Sequence, residues 1–211
     1  MYRKIGRTVA AAIIATIASA AFASSASAAL LTASADSCDD GPITQPFLRF
    51  GDSDNYKLLG GGSFEAGTDA WQLSGGAKIV SGSETYKVGA STDSRSLSLP
   101  SGSAAVSPFT CVGLSEPTLR LFAKRNSALL GLVSTLNVQI QVQTSLGLSA
   151  WLPVLPGDLG GSSWHQTAKM PLIANILPLS SSDKTPVRFR FTPLLGSWQI
   201  DDVYVDPFMK R

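Results

Sequence analysis

Leu136-Asn137-Val138-Gln139-Ile140-Gln141-Val142-Gln143-Thr144 is the stretch on which the fold turns. Val138, Ile140 and Val142 alternate with Asn137, Gln139, Gln141 and Gln143, and a period of two puts the apolar side chains on one face of a β-strand and the amides on the other. A slip of one residue would bury the amides, so the register is strongly specified. Thr118 to Lys124 repeats the scheme with Leu119, Leu121 and Ala123 inward. Val187 to Thr192 repeats it again, with Val187, Phe189 and Phe191 inward and Arg188 and Arg190 outward. These three strands are read as sharing one polar face.

Outward from this stretch, short β-rich runs recur between Gly, Ser, Pro and Asp clusters, near Tyr56 to Leu59, Ser63 to Glu65, Trp71 to Leu73, Ala77 to Val80, Ser96 to Leu99, Ala104 to Val106, Ala150 to Val154, Trp164 to Leu172 and Trp198 to Val205. So many strands, with no crossover helix between them, predict an all-β, two-sheet antiparallel sandwich of the jelly-roll kind. The more apolar segments Ser127 to Thr135 and Ile173 to Leu179 are expected to form short helical turns. In the last strand Trp198 and Ile200 are apolar at even positions but Val203 and Val205 at odd ones, so the alternation changes phase across Asp201-Asp202. A β-bulge there reconciles the two halves.

With 44% hydrophobic and only 15% charged residues, the 211-residue chain can bury a core, which argues against disorder. Residues 1–28 read as a secretory signal: Arg3, Lys4 and Arg7, an apolar run from Val9 to Phe22, then Ala26-Ser27-Ala28 before the cut. A second such site is Ala33-Ser34-Ala35. Cleavage after Ala28 changes 17 basic and 15 acidic residues to 14 and 15, a net charge of −1. That removes the cationic excess which nucleic-acid binding needs, and no later apolar run is long enough for a membrane span. Residues 29–54 form a polar N-terminal arm and residues 55–211 the sandwich. In a secreted chain with two cysteines, Cys38 and Cys111 are expected to pair and tether the arm, closing a loop worth roughly 4 kcal/mol in chain entropy.

Gly61-Gly62-Ser63-Phe64-Glu65, the following Trp71, Gly89 with the later Ser96-Leu97-x-Leu99, and the terminal Trp198-x-Ile200-Asp201-Asp202-Val203 together resemble carbohydrate-binding modules with a galactose-binding-like jelly-roll fold. The likeness spans roughly residues 58 to 207 and is also that of secreted bacterial stand-alone domains. It implies a structural Ca²⁺ site that joins the first and last strands through Glu65 and Asp201, with backbone carbonyls between Gly89 and Asp93 completing an oxygen set.

Sugar rings dock by their apolar faces on exposed aromatics while amides and charged groups bond their hydroxyls. Trp151, Trp164 and Tyr86 lie beside Gly- and Ser-rich loops, whereas Trp71 and Trp198 are read as core. The candidate ligand residues are Tyr86, Arg120, Gln139, Gln141, Trp151, Arg188 and Arg190. His165 is the only histidine, and G-x-S-x-G, H-E-x-x-H and paired-Cys motifs are absent, so catalysis is not expected. A small hydrolase would need two facing acids drawn from Glu65, Glu84, Glu116 and the aspartates. The resulting expectation is a secreted, non-catalytic module that binds glycan or another cell-envelope component. The alternative is a structural or adhesive envelope protein that meets another protein through an apolar patch and has no aromatic sugar platform.

Overall fold

The computed structural model describes residues 41–67, 70–113, 117–129, 132–143, 149–172 and 184–206. The signal segment, Cys38, Glu116 and the turn expected at Ile173 to Leu179 lie outside them.

Strands pair antiparallel throughout, in two sheets. The first holds β1 (Ile43–Thr44), β2 (Tyr56–Leu58), β4 (Lys78–Ser81), β5 (Arg95–Leu99), β8 (Thr118–Ala128), β11 (His165–Gln166), β12 (Met170–Pro171) and β14 (Gly196–Asp206). The second holds β3 (Gln72–Ser74), β6 (Ala104–Val106), β7 (Thr110–Gly113), β9 (Thr135–Gln143), β10 (Ser149–Asp158) and β13 (Lys184–Leu194). Among the described residues no helix is long and apolar enough to cross a membrane. The predicted alternation supplies the core between the sheets: Leu119, Leu121 and Ala123 from one side meet Val138, Ile140, Val142, Val187, Phe189 and Phe191 from the other.

Three sequence expectations need correction. β8 belongs to the first sheet while β9 and β13 pair in the second, so the expected common polar face is two faces on opposite sides of the sandwich. Ser63 to Glu65 is a turn, following Gly60-Gly61-Gly62; a Cβ on Gly62 would stand 2.9 Å from the Val203 carbonyl oxygen, so only glycine lets the turn lie against β14. The strand expected from Trp164 to Leu172 is two short pieces, because Thr167 interrupts the ladder: its N–H donates to the Leu121 carbonyl at 2.8 Å and its hydroxyl accepts the Leu121 N–H at 3.1 Å.

The bulge in the last strand is present. Asp201 pairs with Phe122 and Tyr204 with Arg120, so two residues of β14 lie between these pairs where β8 has one. Asp202 takes the left-handed conformation, φ +47°, which aspartate tolerates better than most residues. Trp198, Ile200, Val203 and Val205 consequently all face the core.

The outer face of the first sheet is covered. The arm from Gly41 pairs through β1, turns at Leu48–Phe50, and buries Phe47 completely against the sheet. The Phe47 ring lies 5.5 Å from Phe122, 5.0 Å from Tyr56 and 5.6 Å from Tyr204. Phe50, Tyr86 and Trp164 complete this second apolar cluster. The outer face of the second sheet carries no such layer among the described residues.

Candidate functional site

Register across β10, β9 and β13 aligns the sequence-predicted residues in two rows. Trp151, Gln141 and Arg188 stand opposite one another in one row, and Pro153, Gln139 and Arg190 in the next. All point away from the core because their neighbours Val138, Ile140, Val142, Val187 and Phe189 point into it. The Arg190 guanidinium lies 4.4 Å from the Trp151 ring centroid and that of Arg188 5.7 Å, within reach for cation–π attraction. Arg190 Nε donates to Gln139 Oε1 at 2.8 Å, Arg188 Nε donates to Gln141 Oε1, and Gln141 Nε2 donates to the Ser149 hydroxyl at 2.9 Å.

Phe109 was missed in the sequence. It is 48% exposed in the loop between β6 and β7, and its ring centroid lies 4.9 Å from the Arg188 guanidinium. Arg188 thus sits between two aromatic rings. The signal was an aromatic flanked by Pro108 and Thr110 in a connecting loop, which reads equally well as a strand end.

Two predicted ligand residues stand elsewhere. Arg120 projects from β8 into the covered face of the first sheet, where it is 8% exposed, bonds Asp52 Oδ2 at 2.5 Å and the Thr167 carbonyl at 2.8 Å, and lies 4.6 Å from the Phe47 ring centroid. Tyr86 packs in the same cluster, edge-on to Phe50 at 4.9 Å. Cys111 is buried at β7; its expected partner Cys38 lies outside the described residues.

Glu65 and Asp201 both act on one loop. They hold opposite ends of the loop from Gly82 to Arg95: Glu65 Oε1 accepts the N–H groups of Ser94 and Arg95 at 2.7 and 2.6 Å, and Asp201 Oδ2 accepts that of Glu84 at 2.8 Å. Both carboxylates accept backbone N–H groups of that loop. Among the described residues no three His, Cys, Asp or Glu side chains cluster as metal ligands. The carboxylate with open valence is Asp202, 1% exposed, neither of whose oxygens has a hydrogen-bond partner. A Cβ on Gly89 would lie 3.2 Å from Asp202 Oδ1 and 2.6 Å from Asp93 Oδ2, so the bare glycine forms a cradle between these two acids, its N–H facing Asp202 without closing a well-formed bond. Burial, then repulsion from Asp201, Glu84 and Asp93, pushes the Asp202 carboxyl up to about 8. Burial likewise pushes Asp201 up to about 7, against the pull of its hydrogen bonds. Such a group must take either a proton or a hard cation.

At the end of the sandwich where β8 meets β9 and β13 meets β14, Leu129, Leu132, Val133, Leu194 and Leu195 are all exposed. The Leu129 N–H donates to the Leu195 carbonyl at 2.8 Å, which fixes the two turns together.

No protein-family model and no curated protein matches the chain. Solved structures do. The CBM22-1 and GH10 modules of endo-1,4-β-D-xylanase 10B from Clostridium thermocellum, complexed with xylohexaose, match with a TM-score of 0.50 at 14% identity, over 74% of this chain and 29% of that one. The chain therefore spans under a third of that two-module structure. The CBM22-1–CBM22-2 tandem of Paenibacillus barcinonensis Xyn10C matches at 0.46 and 11% identity, over 73% of this chain and 46% of that one. The C-terminal family 22 module of Clostridium thermocellum Xyn10B matches at 0.40 and 16% identity, over 69% and 90%. At these identities the likeness is one of fold: the chain is a two-sheet antiparallel sandwich of the kind found in carbohydrate-binding modules.

Proposed function

We propose that this chain is a secreted, non-catalytic recognition module that binds polysaccharide on the outer face of its second sheet. The observation that carries the reading is the pair of aligned rows, in which an exposed-edge tryptophan stands beside two arginines and two glutamines on rigid strands. An aromatic plane ringed by fixed hydrogen-bonding groups matches a sugar, which has apolar ring faces and polar equatorial edges. The test is depletion of the secreted protein from solution by insoluble xylan, galactan and bacterial cell wall. Retention on at least one is expected, and no retention on any would remove the reading. The adhesive alternative has the exposed Leu129–Leu195 end in its favour, but it expects no aromatic beside the polar face, and Trp151 stands part-exposed there.

We further infer that a hard cation such as Ca²⁺ is held at Asp202, with Asp93 across the Gly89 cradle and backbone oxygens of that loop. Its support is the pair of unpartnered, buried Asp202 oxygens, and its consequence is to neutralise the acids under the bulge. Deleting Asp202 would leave Asp201, Val203 and Tyr204 in regular alternation opposite Phe122, Leu121 and Arg120, so the strand does not need the extra residue to fill the core. Placing this carboxylate is what the bulge adds. Calcium at 100 times its dissociation constant should raise stability by about 2.7 kcal/mol, seen as a higher melting temperature than in chelator. In chelator both raised carboxyls hold protons more tightly folded than unfolded, so stability should decline as pH rises from about 4 to 8. Asp202→Asn should abolish the calcium response. Identical wild-type melting in chelator and in millimolar calcium would refute the cation.

A further inference from the structure

Resting on the glycan reading, we infer that the Arg188–Arg190 face takes an acidic polysaccharide whose units carry carboxylates, such as a polyuronate. Three observations carry this.

First, the face holds two positive charges with no counter-charge. Neither arginine forms an ion pair among the described residues. The only carboxylate in the described strands of this sheet is Asp158, at the end of β10, and it is bonded to His165 at 2.8 Å. A mature chain close to neutral therefore places two cationic side chains on a sheet face that no described layer covers.

Second, the strongest polar groups on the face are donors. Neutral sugar hydroxyls both give and receive hydrogen bonds, and a site for them needs acceptors as well as donors. Here the Gln139 and Gln141 oxygens each already accept an arginine Nε, which uses part of their acceptor capacity. The arginine Nη groups show no bond to another described residue and stand as the strongest donors on the face, with Asn137, Thr192 and Ser149 supplying the neutral acceptors beside them. A carboxylate is acceptor-only and complements that set.

Third, the guanidiniums are pre-positioned. Each is pinned at Nε by a glutamine and set against an aromatic ring, so little rotamer freedom is lost when the Nη ends engage an anion. Adjacent rows present two such forks along β13, as a chain with a charge on successive units requires.

The experiment compares retention and affinity on polygalacturonate, on the same polymer fully methyl-esterified, and on xylan and galactan, each at low and high salt. Esterification removes the charge and leaves the backbone. Binding to polygalacturonate should be at least about tenfold tighter than to the ester at low salt, narrowing at high salt. Arg188→Gln with Arg190→Gln should erase that difference with the melting temperature unchanged, and Arg→Lys at both positions should restore part of it. Equal binding to ester and acid, or binding only to neutral xylan or galactan, would overturn this inference and leave the glycan reading standing. Failure to bind any polymer would overturn both. Equal competition by dextran sulfate or by a single-stranded oligodeoxynucleotide would show that charge density alone is read, and would overturn the assignment to carboxylates.

Discussion

Replacing Arg120 by alanine should destabilise the chain by about 2–3 kcal/mol, through a lost charge-assisted hydrogen bond to a buried carboxylate and the unpaired acceptor it leaves. Asp52 and Arg120 are 6% and 8% exposed and meet at 2.5 Å. Arg120 also donates Nε to the Thr167 carbonyl, which sits where the β8 ladder is interrupted, so the alanine leaves that acceptor unpaired as well. Lys169 stays on Asp52 at 2.8 Å, and Tyr56 and the Asp54 amide still bond it, so the carboxylate keeps most of its partners and the loss falls mainly on Arg120's own contacts. The measurement is the urea midpoint at constant slope. A loss below about 1 kcal/mol would mean that the pair is solvated and that the arm does not seal it. Acid provides a second readout. Burial alone would raise the Asp52 carboxyl, but hydrogen bonds from Lys169, Tyr56, the Asp54 amide and Arg120 outweigh it and hold it at about 2. A depressed carboxyl contributes its stability fully above the unfolded value near 4 and loses it as pH falls through about 2, so the gap between wild type and variant should close over that window.

Trp151→Ala should weaken binding to whichever polysaccharide retains the protein by roughly thirtyfold, equivalent to about 2 kcal/mol, the scale of an aromatic hot spot. The side chain is part-exposed on β10 and contributes nothing to the core between the sheets. Its loss should therefore leave the melting temperature nearly unchanged while removing both the platform and the surface that orients Arg190. Trp151→Phe keeps a ring at the same register position and should recover part of the affinity. If Trp151→Ala binds as wild type does, the sugar docks elsewhere and the two rows are a solvated sheet face.

Much of the sandwich was legible because alternation reports which side of a strand is buried. Val138, Ile140 and Val142 declared their face, and the change of phase between Ile200 and Val203 declared the bulge. Alternation does not report which sheet a strand joins. Arg120 carries the same outward signature as Arg188, yet one lies beneath the arm and the other on an open face. The arm hid its role for a related reason: between polar residues, Phe47 and Phe50 show no period, although they close the outer side of a sheet. The acids beneath the bulge escaped because Glu65, Asp201 and Asp202 were separated only by motif likeness. Which oxygens are consumed by loop N–H groups depends on a turn from Gly82 to Arg95 whose path no local pattern encodes. On the second sheet the rows were readable, since Gln139, Gln141, Arg188 and Arg190 follow from period two once β9 and β13 are neighbours.

Strand β14 occupies the middle of the first sheet and is also the last of the described strands. It bonds β8 along one edge and β2 and β5 along the other. Before residues 196–206 arrive, that sheet exists only as separate fragments: β1 with β2, β4 with β5, and β8 with β11 and β12. Every pairing that β14 makes therefore spans a long loop. Such nonlocal topology belongs to the slow end of single-domain folding, on the order of milliseconds to seconds. The first sheet is then closed by β14 in one cooperative step, joining fragments that the second sheet's pairings do not reach.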